Sequence, residues 1–122
     1  MKTPENYKVL NTHEWVKFEG NKALIGISDY AQDAMGDIVF INLPEVGTNV
    51  SIGEAFTDVE SVKAVSEVNS PVDGKITRIN EELEDTPELI NADPYNTWII
   101  EVEYTKIGDL MTAEEYDAMD KE

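Results

Sequence analysis

The stretch that decides the fold is Val59-Glu60-Ser61-Val62-Lys63-Ala64-Val65, in which one lysine separates two runs of β-forming residues. Gly53 precedes Lys63 at nearly the same distance at which Gly74 follows it. Two arms of similar length, each closed by a glycine turn, predict a β-hairpin with Lys63 at or near its apex. Small residues close to Lys63 leave it open to a modifying enzyme. On spacing alone, an ordinary solvated surface lysine fits the pattern as well.

The segments on both sides of this hairpin have the pattern of further short strands. Residues 14–19 alternate between apolar and polar side chains, and Gly20-Asn21 supplies a turn into residues 23–27. The β-branched run over residues 37–43 predicts a buried strand, and residues 97–103 predict the last strand. We therefore expect a mainly-β domain.

Two segments have helix signals. Ser28 or Asp29 can cap a short helix that Gly36 ends. Thr112-Ala113-Glu114-Glu115 is a capping box, which predicts a C-terminal helix over about residues 112–120. The prediction is thus of two or three short helices, one of them C-terminal.

The length of 122 residues corresponds to one domain, which we place at 1–122 with its core at about 12–104. The chain is 41% hydrophobic and 29% charged, as in an ordinary globular protein. It has no cysteine, which excludes a disulfide framework, a thiolate metal site and a cysteine nucleophile.

The charge is strongly acidic, with 26 Asp and Glu against 9 Lys and Arg and a formal net charge of −17. Such a surface argues against nucleic acid and anionic membrane as partners, because no basic cluster is present to release counterions. No stretch approaches the roughly 20 apolar residues of a membrane span. The N-terminus lacks the apolar run of a signal peptide, so the expected location is the cytoplasm. The mitochondrial matrix is the alternative if a targeting peptide has been removed.

Catalysis by the chain alone is not expected. His13 is the single histidine, and neither a Gly-x-Ser-x-Gly motif nor a phosphate-binding glycine loop is present. The carboxylates follow no calcium-loop spacing. A lone histidine beside Trp15 is more often a packed residue than a general base.

The order Val62-Lys63-Ala64, followed by Ser-Pro-Val-Asp-Gly-Lys-Ile at 70–76, resembles the lipoyl/biotinyl carrier superfamily. In those domains the modified lysine lies on an exposed β-turn. Biotin carriers typically have methionines on both sides of that lysine, whereas Val62 and Ala64 stand here. A biotin carrier therefore remains only as an alternative.

The rest of the chain resembles one member of that superfamily, the glycine cleavage H-protein family. The resemblance runs from about Thr12 to Tyr116 and rests on several motifs in the right order: His13-Glu14-Trp15, Gly26-Ile27-Ser28-Asp29-Tyr30-Ala31-Gln32, Gly36-Asp37-Ile38-Val39-Phe40, Leu43-Pro44-Glu45-Val46-Gly47, Pro87-Glu88-Leu89-Ile90-Asn91 and Asp93-Pro94-Tyr95. One departure is visible. The family usually has glycine directly before the last tryptophan, but Asn96-Thr97 precedes Trp98 here, which leaves the path of that loop open.

The resemblance implies a barrel-sandwich hybrid fold and lipoic acid amide-linked to Lys63. It implies a non-catalytic carrier that takes the aminomethyl group of glycine from a PLP-dependent decarboxylase (P-protein). The carrier would deliver that group to a tetrahydrofolate-dependent aminomethyltransferase (T-protein) and be reoxidised by dihydrolipoamide dehydrogenase (L-protein). The carrier is expected to be a monomer. A lipoyl-attaching enzyme is the fourth expected partner.

The resemblance also suggests roles for the residues around the arm. Glu60, Ser61, Val62 and Ala64 would form the turn that the lipoyl-attaching enzyme recognises. Candidates for a cleft that shelters the loaded arm are Glu14, Thr12, Glu67 and His13. Two further readings stay open, an H-like protein that relays lipoyl groups to other enzymes and an acidic adaptor without modification.

Overall fold

Ten strands and four short helices make up the computed structural model, which describes residues 1–121. The strands are β1 (Lys8–Val9), β2 (Glu14–Glu19), β3 (Lys22–Ile27), β4 (Ile38–Ile41), β5 (Asn49–Val50), β6 (Ala55–Ser61), β7 (Val65–Asn69), β8 (Val72–Ile79), β9 (Ile100–Ile107) and β10 (Met111–Thr112). The helices are α1 (Asp29–Met35), α2 (Glu82–Asp85), α3 (Leu89–Ala92) and α4 (Ala113–Ala118). None of these helices, within residues 1–121, is long and apolar enough to cross a bilayer.

The strands form two antiparallel sheets that pack as a sandwich. The larger sheet has the order β10-β1-β2-β3-β9-β8-β5, and the smaller one has the order β4-β6-β7. Val59 and Val68 of the small sheet face Ile25 and Val102 of the large one in a single apolar core. The mainly-β, sandwich-like fold is confirmed, and the sheets are not closed into a barrel.

Local capping accounts for the two longest helices. The Ser28 hydroxyl accepts a hydrogen bond from the Ala31 N–H at the start of α1, and Gly36 ends that helix at φ +78°. At α4, Thr112 and Glu115 make both hydrogen bonds of a capping box. Both helices were expected from these residues. The other two helices, α2 and α3, are single turns of four residues.

Gly74 does not close a turn, so that part of the hairpin prediction is wrong. Gly53 does have the left-handed conformation of a turn glycine, with φ +79°, but Gly74 lies inside β8. A Cβ at Gly74 would lie 2.3 Å from the Glu103 carbonyl oxygen and 2.8 Å from the Tyr104 Cα. The glycine is needed because the neighbouring strand β9 approaches closely, at a register shift next to Asp73.

A second apolar cluster joins the two ends of the chain and lies partly outside residues 12–104. Tyr7, Trp15, Tyr95 and Tyr116 are all buried in it. The Trp15 indole N–H donates to the Pro94 carbonyl at 3.0 Å, which ties β2 to the segment before β9. Both termini are therefore held against the sheet that carries β2.

The segment before Trp98 follows a path that needs no glycine. The backbone of Thr97 is not in the positive-φ region, where among residues 1–121 the only side-chain-bearing residue is His13. Thr97 is buried, and its hydroxyl donates to the Leu89 carbonyl of α3 at 3.1 Å. The departure from the family pattern thus adds a contact between α3 and the segment that leads into β9.

Replacing Gly74 by alanine tests the close approach of β8 and β9. We expect Gly74→Ala to lower the free energy of unfolding by about 2–4 kcal/mol, because the new methyl group overlaps backbone atoms that cannot move aside. Urea unfolding followed by tryptophan fluorescence measures the change. Lys75→Ala, at the exposed next position of β8, is the control and should cost less than about 1 kcal/mol. Equal losses for the two variants would contradict this account.

Candidate functional site

Lys63 lies in the turn between β6 and β7, where the sequence predicted it. The Ser61 N–H donates to the Ala64 carbonyl at 2.8 Å and closes the turn. The Ser61 hydroxyl oxygen accepts from the N–H groups of Lys63 and Ala64, each at 3.2 Å. One serine thus satisfies the backbone N–H groups of Lys63 and Ala64, while the Lys63 side chain stays exposed.

The tip of the hairpin is docked on the junction between α1 and β4. The Val62 N–H donates to the Asp37 carbonyl at 3.0 Å, which extends the pairing of β6 with β4 into the turn. The Lys63 side chain lies over Gly36, and a Cβ there would be 2.9 Å from the Lys63 Cε and 3.7 Å from its Nζ. The left-handed glycine therefore leaves the space that the aliphatic part of the lysine occupies.

Asn91 of α3 holds this junction in place, a role that the sequence motifs did not reveal. Its amide nitrogen donates to the Gly36 carbonyl and to the Gln32 side chain, both at 2.9 Å. Its amide oxygen accepts from the Ile38 N–H at 2.9 Å. Asn91 does belong to the Pro87–Asn91 family motif of the sequence, but that motif does not indicate which residues Asn91 contacts.

Glu14 is buried at the start of β2, with only 2% of its surface exposed. One carboxylate oxygen accepts from the hydroxyl of Thr12, an exposed residue, and the other accepts from the Asn69 N–H at 2.7 Å. Burial raises the pKa of Glu14, although the hydrogen bonds from Asn69 and Thr12 oppose that shift. Thr12 and Glu14 are thus brought together, and Glu14 contacts the base of the Lys63 hairpin at Asn69.

Glu67 and His13 lie elsewhere. Glu67 is exposed on β7, directly across from Asp58 of β6, and lines an open groove together with Leu43 and Phe56. Within residues 1–121, no group of three or more His, Asp or Glu side chains is arranged to hold a metal ion.

His13 connects to the C-terminal helix. Its Nδ1 lies 2.7 Å from the Tyr116 hydroxyl, which lies 2.8 Å from the Ser28 hydroxyl that caps α1. The His13 ring also packs against the Tyr30 ring, with centroids 4.8 Å apart. Burial and the nearby Lys121 charge lower the pKa of His13, while burial raises the pKa of Tyr116 to about 12. A neutral His13 can accept a hydrogen bond from the Tyr116 hydroxyl, so His13, Tyr116 and Ser28 form a hydrogen-bonded series of side chains between α1 and α4.

Comparison with known proteins shows relatives across the whole chain. The family model described as "Glycine cleavage H-protein" matches residues 7–122. The glycine cleavage system H protein of Brevibacillus brevis is 51% identical over 126 residues, covering 100% of both chains. That of Geobacillus sp. is 49% identical over 126 residues, covering 100% of this chain and 99% of the relative. A mitochondrial relative from Arabidopsis thaliana is 50% identical and covers 92% of this chain and 74% of its own length.

A solved structure has the same fold. The crystal structure of a glycine cleavage system H protein from Mycobacterium marinum superposes with a TM-score of 0.89 at 39% sequence identity. The superposition covers 93% of this chain and 95% of the other.

Because His13 is the single histidine, its titration directly tests the hydrogen-bonded side chains that connect α1 and α4. A proton NMR titration should give a His13 midpoint below 6.5, and Lys121→Gln should move it upward because one positive charge is removed. Lys106→Gln, on exposed β9, is the control and should leave the midpoint in place. Since the folded pKa is depressed, the His13 contribution to stability is present above about pH 6.5 and is lost as the pH falls below it. A wild-type midpoint at or above 6.5 would contradict the lowered pKa that half-burial and the Lys121 charge give His13.

Proposed function

The chain belongs to the glycine cleavage H-protein family, whose role is that of the lipoyl carrier in the glycine cleavage system, and we propose that Lys63 is the lipoylated residue. The observation that carries this proposal is the turn around Lys63. Its backbone is fixed by Ser61 and Asp37, while its side chain is exposed above the space left by Gly36. An enzyme that acylates Lys63 would meet a defined loop and an accessible amine.

The residues of this site fit a lipoyl group. An amide at Nζ needs only an accessible amine, and Gly36 leaves room beneath the lysine stem. When attached, a lipoyl group supplies a dithiolane for reversible thiol–disulfide chemistry and for carrying a one-carbon amine. Because the chain has no cysteine, it offers no thiol of its own that could exchange with that dithiolane.

We further propose the roles of the partner enzymes. The carrier would transfer the aminomethyl group of glycine from the P-protein to the T-protein, and the L-protein would restore the disulfide. The chain would contribute no catalytic residue, since its part is to present the arm at high effective concentration to each docked enzyme. The chain would act as a monomer whose contacts are short-lived, because one carrier must visit several enzymes in turn. Given its bacterial relatives, we place it in the bacterial cytoplasm, with the mitochondrial matrix as the eukaryotic counterpart.

We assign recognition by the lipoyl-attaching enzyme to the turn itself. Glu60 is exposed next to Ser61, and Val62 and Ala64 are exposed on either side of Lys63. The hydrogen bonds of Ser61 keep these groups in one arrangement, so an enzyme could read their positions without ordering the loop.

For the loaded arm we propose that Glu14 and Thr12 receive the ammonium group of the cargo. Thr12 is an exposed residue and its hydroxyl donates to the buried Glu14 carboxylate, so a cation docked at Thr12 would lie close to a poorly solvated negative charge. Glu67, exposed on β7, adds negative charge along the hairpin. His13 is the weakest of the four candidates, because its Nδ1 already pairs with Tyr116.

Lipoylation is tested by intact mass and peptide mapping after expression in a lipoate-supplied host. We expect a lipoyl increment on Lys63 of the wild type and of Lys75→Arg, an exposed lysine on β8, but not on Lys63→Arg. Glu60→Gln should be modified more slowly in a timed assay. A biotinyl increment, or none in the presence of a competent ligase, would refute the assignment. Glycine-dependent carbon dioxide exchange with a P-protein then separates glycine cleavage from a lipoyl relay.

Shelter of the cargo is tested by the decay of the loaded carrier. Glu14→Gln should lose ammonia several-fold faster than the wild type, because the amide keeps the shape but not the charge that holds an ammonium group. Mass spectrometry over time follows the loss, and Glu5→Gln, an exposed carboxylate, is the control. Since burial raises the Glu14 pKa, wild-type protection should weaken as the pH falls through that raised value. Identical decay of the wild type and Glu14→Gln would exclude a role for Glu14.

A further inference from the structure

Large apolar side chains are exposed around the Lys63 turn. Val62 and Val65 of the hairpin are 67% and 62% exposed, and Val39 and Phe40 of β4 are 54% and 50% exposed. These residues lie on neighbouring segments, because the hairpin tip pairs with the start of β4. Exposed apolar residues scattered singly need no explanation, but a group around one functional lysine does.

Strand register places part of this group in one row. Phe40 of β4 pairs with Glu60 of β6, and Glu60 pairs with Val65 of β7. All three side chains are exposed, whereas the next row, with Ile41 and Val59, is buried in the core. Phe40, Glu60 and Val65 therefore share the solvent side of the small sheet. A register shift between Ile38 and Phe40 leaves both Val39 and Phe40 uncovered.

The following solvent-facing row is acidic. Asp58 of β6 pairs with Glu67 of β7 on the side where Glu60 lies. We call Phe40, Asp58, Glu60, Val65 and Glu67 the outer face. It carries three carboxylates, and the cation in the adjoining turn is Lys63, whose charge disappears when its amine becomes an amide. Lipoylation would therefore remove the positive charge next to the outer face, which has apolar residues at two edges.

We propose that the outer face is the docking surface for an enzyme that accepts the arm, and that this enzyme presents Lys or Arg side chains beside apolar ones. The proposal rests on the proposed function, since an enzyme that takes an arm from Lys63 must cover the hairpin tip. Charge complementarity selects such a partner, because opposite charges steer encounter and fix orientation. A second copy of this chain is a poor occupant, since each copy carries a net charge of −17.

The chemistry of the outer face suits a contact that forms and breaks quickly. Half-exposed Phe40 can insert into a partner and supply most of the contact energy, as a few central residues do in protein interfaces. The carboxylates act over about 10 Å at 0.1 M salt and accelerate the encounter. A small apolar contact within an acidic surface gives recognition without slow release.

The first test measures the concentration dependence of the carrier in the glycine–carbon dioxide exchange reaction of a P-protein. Phe40→Ser and Val65→Thr, once lipoylated as judged by intact mass, should raise the KM for the carrier about fivefold or more and leave kcat unchanged. Ile107→Ser is the matched control, because Ile107 is 47% exposed on β9 of the other sheet and pairs with Val72. It should behave as the wild type. Unchanged KM values for both outer-face variants would overturn the proposal.

The second test removes the arm from the measurement. Unlipoylated wild-type chain should compete with the lipoylated carrier, and unlipoylated Phe40→Ser should need at least fivefold more protein for the same inhibition. Equal inhibition by the two chains would overturn the proposal even if lipoylation of Phe40→Ser failed. Loss of lipoylation in the wild type would instead refute the proposed function, so the two failures can be told apart.

The contribution of the outer-face carboxylates is tested separately, through the salt dependence of the KM for the carrier. The wild-type KM should rise with KCl concentration, and Asp58→Asn with Glu67→Gln should flatten that dependence, because screening acts on the removed charges. A salt dependence of the double variant as steep as that of the wild type would exclude a basic partner surface at the outer face.

Discussion

The hydrogen bond from the Val62 N–H to the Asp37 carbonyl connects the hairpin tip to the rest of the fold. An isolated two-stranded hairpin is marginal in water, and its tip would be free to fray. Here the tip is paired with β4, and β4 follows directly from α1 through Gly36. Asn91 bonds to both sides of that connection. Lys63, the proposed attachment site, is thus on a rigid support while its side chain remains in solvent.

Negative charge is distributed in two different ways. Most carboxylates are on the surface, where they would attract a basic partner over long range. Among residues 1–121 Glu14 is the exception, because it is buried and its two oxygens accept hydrogen bonds from Thr12 and Asn69. Burial raises the pKa of Glu14, so its carboxylate is costly to ionise. Carboxylates with a pKa shifted in this way are often found at functional sites. Its hydrogen bond from Asn69 connects the start of β2 to the end of β7, one of the two strands of the Lys63 hairpin.

The two termini have a structural part in this arrangement. His13 has the one positive-φ backbone of a residue with a side chain among residues 1–121, and its ring reaches the Tyr116 hydroxyl. Through Ser28, the same chain of hydrogen bonds caps α1, the helix that ends at Gly36 beneath Lys63. The C-terminal helix therefore supports the lysine site from a distance, through side chains that the sequence places far apart.

Features that depend on neighbouring residues were determined by the sequence alone: the caps of α1 and α4, the turn at Lys63, and the family membership that the ordered motifs indicated. Their physics is local, since a capping hydroxyl or a turn serine acts within four residues. What only the tertiary structure decided depends on the approach of distant segments. The sequence predicts a turn at Gly74, and only the structure shows that β9 lies too close to its Cα for a side chain. The orientation of the His13 ring depends on Tyr116, 103 residues away. The outer face is a product of register across three strands, and a one-residue shift in pairing would have buried Phe40 instead.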